Sequence, residues 1–181
     1  TTQFQSTDAR RAFPCFDEPD LKATFGVTLV VDSNLLAVSN GAETSRTPVG
    51  DGTDRVVFAE TIPLSTYLVA FVIGPLEATD PIDVDGVPVR VIHPPGKGDQ
   101  TAFALDVAAH SLRWLADWYD LAVPGGKVDL VALPDFAFGA MENLGCITFR
   151  EVLLLVDPET ADQRELESVA AVLSHELAHL W

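Results

Sequence analysis

The residues best equipped for chemistry are the last seven, His175-Glu176-Leu177-Ala178-His179-Leu180-Trp181. Two histidines four apart fall on one face of a helix. At that spacing both imidazoles can reach one metal ion, and the carboxylate of Glu176 stands beside them to take a proton from water on that metal. His175 and His179 are therefore candidate zinc ligands and Glu176 a candidate general base, which together make hydrolase chemistry. The bland alternative is that the two histidines merely flank a buried helix face.

Such a trio needs a helix to hold it. Asp157-Pro158-Glu159 stops the preceding apolar run, and Thr160 with Gln163 three residues later has the form of a capping box. Leu166, Val169, Ala170, Leu173, Leu177 and Leu180 then recur at helical spacing with no Gly or Pro between them. A second helix is expected over 100–119, capped by Asp99 and burying much of its surface through Phe103, Leu105, Val107, Leu112, Trp114, Leu115 and Trp118. His110 on that helix is read as a packing or surface residue rather than a ligand.

The earlier half of the chain has the period of β-structure. Ala23, Phe25, Val27, Leu29 and Val31 alternate with smaller or more polar residues, and further strands are expected near 35–38, 55–60, 67–73 and 87–93. Thr47-Pro48-Val49-Gly50-Asp51-Gly52 reads as a hairpin loop. After the first long helix come a strand over 127–133 and a strand-like run over 146–156. The class is α+β in two parts, an antiparallel sheet or sandwich followed by a mixed region. A composition shift from Gly74-Pro75 to Asp85-Gly86 places the domain boundary near residue 86.

Composition sets the bounds. The 181 residues are 48% hydrophobic, enough for a packed core, and the net charge of −16 argues against nucleic acid as a partner because phosphates would be repelled. Cys15 and Cys146 are too few for a disulfide framework, which suits a reducing, cytoplasmic setting. No apolar run approaches the roughly 18 residues of a membrane span, so no membrane partner is expected. A catalytic zinc takes three protein ligands and a water. With two histidines in hand, the chain is expected to be a fragment, inactive and weak in holding zinc by itself.

A second motif, Gly139-Ala140-Met141-Glu142-Asn143, precedes the HExxH stretch by some thirty residues. Together the two resemble the zinc aminopeptidases typified by aminopeptidase N, within the gluzincin metallopeptidases. Thr2-Gln3-Phe4-Gln5, Asp8-Ala9-Arg10-Arg11, the stretch from Phe13 to Pro19, Ser65 to Phe71 and Leu133-Pro134-Asp135-Phe136 are similar to that family as well, so the resemblance runs along nearly the whole chain. It implies that residues 1–86 are the C-terminal part of an N-terminal β-sandwich (saddle) domain. Residues 87–181 would be the start of a thermolysin-like catalytic domain, truncated.

The same resemblance assigns roles. Glu142 would pair with the free α-ammonium of a peptide, leaving room for one residue before the zinc. Gly139 and Ala140 would align the substrate through their main chain, and Gln3, Gln5 and Met141 would line the pocket for its first side chain. The third zinc ligand, a Glu about nineteen residues after the second His, and an oxyanion-stabilising Tyr would lie beyond Trp181. Departures are few: Leu144 replaces a common aromatic, Leu180 a polar residue, and Gln5 stands where some relatives carry Glu. The implied activity is removal of the first residue from peptides with a free N-terminus, by a protein expected to be a monomer. The rivals are a related zinc hydrolase, either an endopeptidase or a bifunctional epoxide hydrolase, and a non-catalytic family member serving as an interaction scaffold.

Overall fold

The computed structural model describes residues 1–157 and 159–181, so the Pro158 of the expected stop before the second helix lies outside the described residues. The chain forms two units, Thr1–Pro75 with Asn143–Cys146, and Leu76–Glu142 with Ile147–Trp181. The architecture is mixed α+β, as the sequence pattern predicts.

The first unit is antiparallel. β1 (Thr28–Asp32), β2 (Leu36–Ser39), β3 (Glu43–Gly50), β4 (Thr53–Phe58) and β5 (Phe71–Gly74) form a sheet of order β1-β4-β3 and a separate β2-β5 pair. Val27, Val31, Ala37, Val56 and Phe58 make its core, with Leu29 and Phe71 packed against them. The strand expected from residue 23 begins only at Thr28. Hydrogen bonds run from Phe58 N to Val27 O, Thr61 N to Phe25 O and Leu64 N to Ala23 O, so one side advances three residues for every two on the other and the ladder loses register. The strand expected over 67–73 is likewise a 3-10 turn, Thr66–Leu68, followed by β5. Side-chain amides take up the Leu68 carbonyl and the Ala70 N–H there, leaving neither for a ladder.

The second unit carries β6 (Glu77–Ala78), β7 (Ile82–Val84), β8 (Val87–His93), α1 (Ala102–Tyr119), β9 (Val128–Leu133), β10 (Ala140–Met141), β11 (Cys146–Arg150) and α2 (Gln163–Ala178). Its sheet has the order β10-β11-β9-β8-β6, with β7 also on β8. β8 and β9 are parallel, and α1 is the crossover that a parallel pair requires. β9 is buried along its whole length, as its continuous apolar run implies for a covered central strand. Its one charge, Asp129, sits opposite Arg90 of β8 and accepts from Arg90 Nε at 2.7 Å and from Lys127 Nζ at 2.7 Å. The strand-like run over 146–156 is β11 and then a 3-10 turn, because the Leu154 and Leu155 amides both turn back to Glu151 O.

Both helix starts differ from expectation. Asp99 belongs to a 3-10 turn, Gly98–Gln100, and α1 starts after Thr101, whose hydroxyl donates to Gly98 O at 2.7 Å. For α2 the capping box is Asp162 with Glu165, not Thr160 with Gln163: Glu165 N donates to Asp162 Oδ1 at 2.9 Å and Asp162 N to Glu165 Oε2 at 3.0 Å. Both pairs fit the pattern, but Thr160 is drawn into a turn closed on Asp157 O, and the Gln163 amide reaches forward to Glu167. α1 and α2 pack together, burying Ala104, Ala108 and Leu112 on one and Val169, Leu173 and Leu177 on the other, whereas Trp114 and Trp118, expected to be buried, are exposed and stack on each other.

Candidate active site

The cap at Asp162 fixes where α2 starts, and the buried positions Val169, Leu173, Glu176 and Leu177 fix its rotation. His175 and His179 then emerge on the exposed side, with their Nε2 atoms 3.2 Å apart and their rings nearly perpendicular. Two nitrogens each about 2.0–2.1 Å from one tetrahedral zinc would be separated by roughly 3.3 Å. The pair therefore fits a metal between them.

α2 ends at Ala178, leaving His179 as the C-cap with helical angles of φ −62° and ψ −20°. The end is held by Trp181, whose indole Nε1 donates to Leu121 O at 3.1 Å while its ring lies 5.8 Å from that of Tyr119. This staple escapes sequence reading, since one Trp sixty positions from its partner leaves no periodic signal.

Glu176, between the two histidines in sequence, is only 7% exposed. Its Oε2 has no hydrogen-bond partner among the described residues. Burial, reinforced by the nearby Glu142 carboxylate, raises the Glu176 carboxyl to about 6, against the opposing pull of His175. A buried, orphaned carboxylate oxygen beside two imidazoles suits a group waiting for a proton carried by a bound water.

β10 brings in the second motif. Arg150 N donates to Gly139 O at 2.8 Å, Ala140 pairs with Phe149 and Met141 with Thr148, and α2 packs against this short strand. Glu142 follows directly, and ligand atoms of Glu142, Glu176 and His179 all lie within 4.8 Å of one another. Distance alone thus groups two carboxylates with one imidazole, whereas His175 joins through His179. Zinc's preference for nitrogen donors favours the two imidazoles as its ligands and leaves the carboxylates for proton transfer and cation binding.

The remaining sequence candidates fall in different settings. Gly139 and Ala140 are half-buried, and a Cβ at 139 would come 3.3 Å from Leu153 Cδ1, the mobile tip of a side chain. Met141 is 1% exposed, packed inside rather than open to a pocket. Gln3 and Gln5 belong to the first unit, where Gln5 N donates to Gln3 Oε1 at 2.8 Å. His110 is exposed, in keeping with a surface residue, and with Asp106, Trp114, Ser174 and His175 it lines a cavity of about 740 Å³ between α1 and α2.

With this geometry in view, comparison with known proteins gives a consistent answer. The Peptidase M1 N-terminal domain matches residues 1–68 and the Peptidase family M1 domain residues 103–181. Puromycin-sensitive aminopeptidase of Caenorhabditis elegans is 50% identical over 100% of this chain and 19% of its own length. Alanine/arginine aminopeptidase of Saccharomyces cerevisiae is 45% identical over 100% of the chain and 21% of its own length, and Aminopeptidase M1 of Arabidopsis thaliana 44% over 99% and 20%. The chain belongs to peptidase family M1, a family of peptide hydrolases. It spans about a fifth of the length of these relatives.

Proposed function

We propose that the chain is part of a zinc-dependent aminopeptidase that removes the first residue from peptides with a free α-amine. The observation that carries this reading is the convergence of Glu142 on Glu176 and His179 within 4.8 Å. An HExxH helix by itself supports metal-assisted hydrolysis of many bonds. A second carboxylate at fixed distance from the metal ligands supports an enzyme that reads a cation, and the ammonium of a peptide's first residue is the cation nearest its scissile bond.

In this reading His175 and His179 hold the metal, and the longer polypeptide supplies its third ligand. A bound zinc polarises the peptide carbonyl and acidifies water. Glu176 takes the proton of the attacking water on its unpartnered oxygen and passes it to the leaving amine. A carboxyl raised by burial is suited to both steps, since its proton affinity lies nearer neutrality than that of an exposed Glu. Glu142 pairs with the α-ammonium, and Gly139 and Ala140 align the peptide main chain. Residues 1–86 and 87–181 would belong to the saddle and catalytic domains of that enzyme.

Relatives of the chain are named aminopeptidases, which favours this reading over an endopeptidase or epoxide hydrolase on the same frame. No helix among the described residues is long and apolar enough to cross a membrane, and a cytoplasmic monomer remains the proposed setting. The test uses the longer polypeptide that carries this chain. Hydrolysis of a free-amine peptide should be abolished by chelator, restored by zinc and lost in Glu176→Gln. Equal cleavage of the N-acetylated peptide would overturn the aminopeptidase reading, and unimpaired cleavage by Glu176→Gln would overturn the role of that residue.

A further inference from the structure

Glu142 sits at the junction between a short strand and a turn. β10 is only two residues long, and its last ladder partner, Met141 with Thr148, comes before Glu142. On its C-terminal side the chain enters the turn Asn143-Leu144-Gly145-Cys146, which also sets the carboxylate's backbone. That turn is closed by Cys146 N donating to Asn143 O at 2.9 Å, and Gly145 adopts φ +70°, a conformation open to glycine at little cost.

The turn's middle carbonyl, on the buried Leu144, needs help from a hydrogen-bond donor. The help comes from Asn40, which follows β2 and is 3% exposed. Its Nδ2 donates to Leu144 O at 2.8 Å and to Leu68 O at 2.8 Å, and its Oδ1 accepts from Ala70 N at 2.9 Å. Asn143, fully buried, adds a bond from its own Nδ2 to the same Leu68 O at 3.2 Å. Asn40 itself has little freedom to drift, because the next residue, Gly41, lies so close to Ala59 that a Cβ there would overlap its carbonyl.

We infer that Asn40 is a positioning residue for Glu142, setting the turn that begins one residue after that carboxylate. The assignment rests on Glu142 being the group that binds the substrate's α-ammonium. Ion pairing with an ammonium held before a scissile bond tolerates displacement of only about 0.5 Å, and about 1 Å of misplacement can cost on the order of a hundredfold in rate. A buried amide whose two N–H groups and oxygen all serve main-chain groups of the 68–70 loop and the 144 turn supplies that rigidity without adding charge.

The experiment compares Asn40→Ala, Ser39→Ala and Glu142→Gln in the longer polypeptide, measuring melting temperature, zinc content, kcat and KM for an aminoacyl arylamide, and the ratio of free to N-acetylated peptide cleavage. Ser39 is a matched control, since its buried hydroxyl also bonds the same loop, at Ala70 O, but does not reach the 143–146 turn in that bond. The expected result is a KM raised about tenfold or more in Asn40→Ala with zinc content kept and the free-amine preference reduced. Ser39→Ala should lower melting while leaving KM within about twofold. If Asn40→Ala does not accumulate folded, Asn40→Ser, which keeps one hydroxyl donor, is read by the same criteria. An Asn40 variant with KM and preference unchanged, alongside a Glu142→Gln that alters both, overturns the positioning role. If Glu142→Gln alters neither, the reading of Glu142 falls instead.

Discussion

Glu176 is held under two opposing pressures. Its place among Val169, Leu173 and Leu177 on the buried side of α2 removes water from its carboxylate, and Glu142 adds a like charge, while His175 pulls the other way. The first two win, leaving the carboxyl at about 6. The balance makes a separable prediction for the metal-free chain. Replacing Glu142 with Gln removes the like charge but not the burial, so the Glu176 carboxyl, followed by NMR, should titrate lower than in the parent yet still above an ordinary Glu. A Glu176 titration unmoved by Glu142→Gln would mean that the two carboxylates are not neighbours in solution. That outcome would also remove the geometric basis for reading Glu142 as part of the same site.

At the scale of elements, α2 matters most, because its start sets the rotation that brings His175 and His179 together. Asp162→Ala deletes the acceptor for Glu165 N and should cost about 1 kcal/mol of stability in urea unfolding, while Thr160→Ala should change it by less than about 0.5 kcal/mol. The reverse ranking would restore the cap that the spacing of Thr160 and Gln163 suggests. This case marks what was legible in the sequence. The helix itself was, because its apolar period is long and unbroken, and β8 was legible to the residue, lying between the turn at Gly86 and the prolines at 94 and 95. Motifs carried within one element, His175-Glu176-x-x-His179 and Glu142, could likewise be read directly. What could not be read is whatever depends on competition or distance. Two capping boxes overlap by two residues, and only the turn on Asp157 decides between them. The Asn40 contact with Leu144 spans about a hundred residues, and nothing in the local pattern around either residue announces it.

For the molecule as a whole, charge sets the response to acid. A net charge of −16 is self-repelling, and protonation of exposed carboxylates relieves that repulsion as pH falls. Asp129 acts in the opposite sense. Burial alone would raise its carboxyl, but Lys127 and Arg90 outweigh that and hold it below the ordinary Asp value of 3.8. A carboxyl with a depressed folded value contributes stability that is fully present above 3.8 and is lost as pH falls through its lower folded value. The parent chain should therefore hold its stability at neutral pH and lose it below about pH 4, despite the relief of repulsion elsewhere. Asp129→Asn leaves Lys127 buried without its carboxylate, which should cost about 3 kcal/mol at pH 7. The variant should also show a flatter profile below pH 4, since the titrating group is gone. Urea unfolding of both chains between pH 3 and 7 decides the matter: parallel curves would show that surface carboxylates, not the Arg90–Asp129–Lys127 cluster between β8 and β9, govern acid stability.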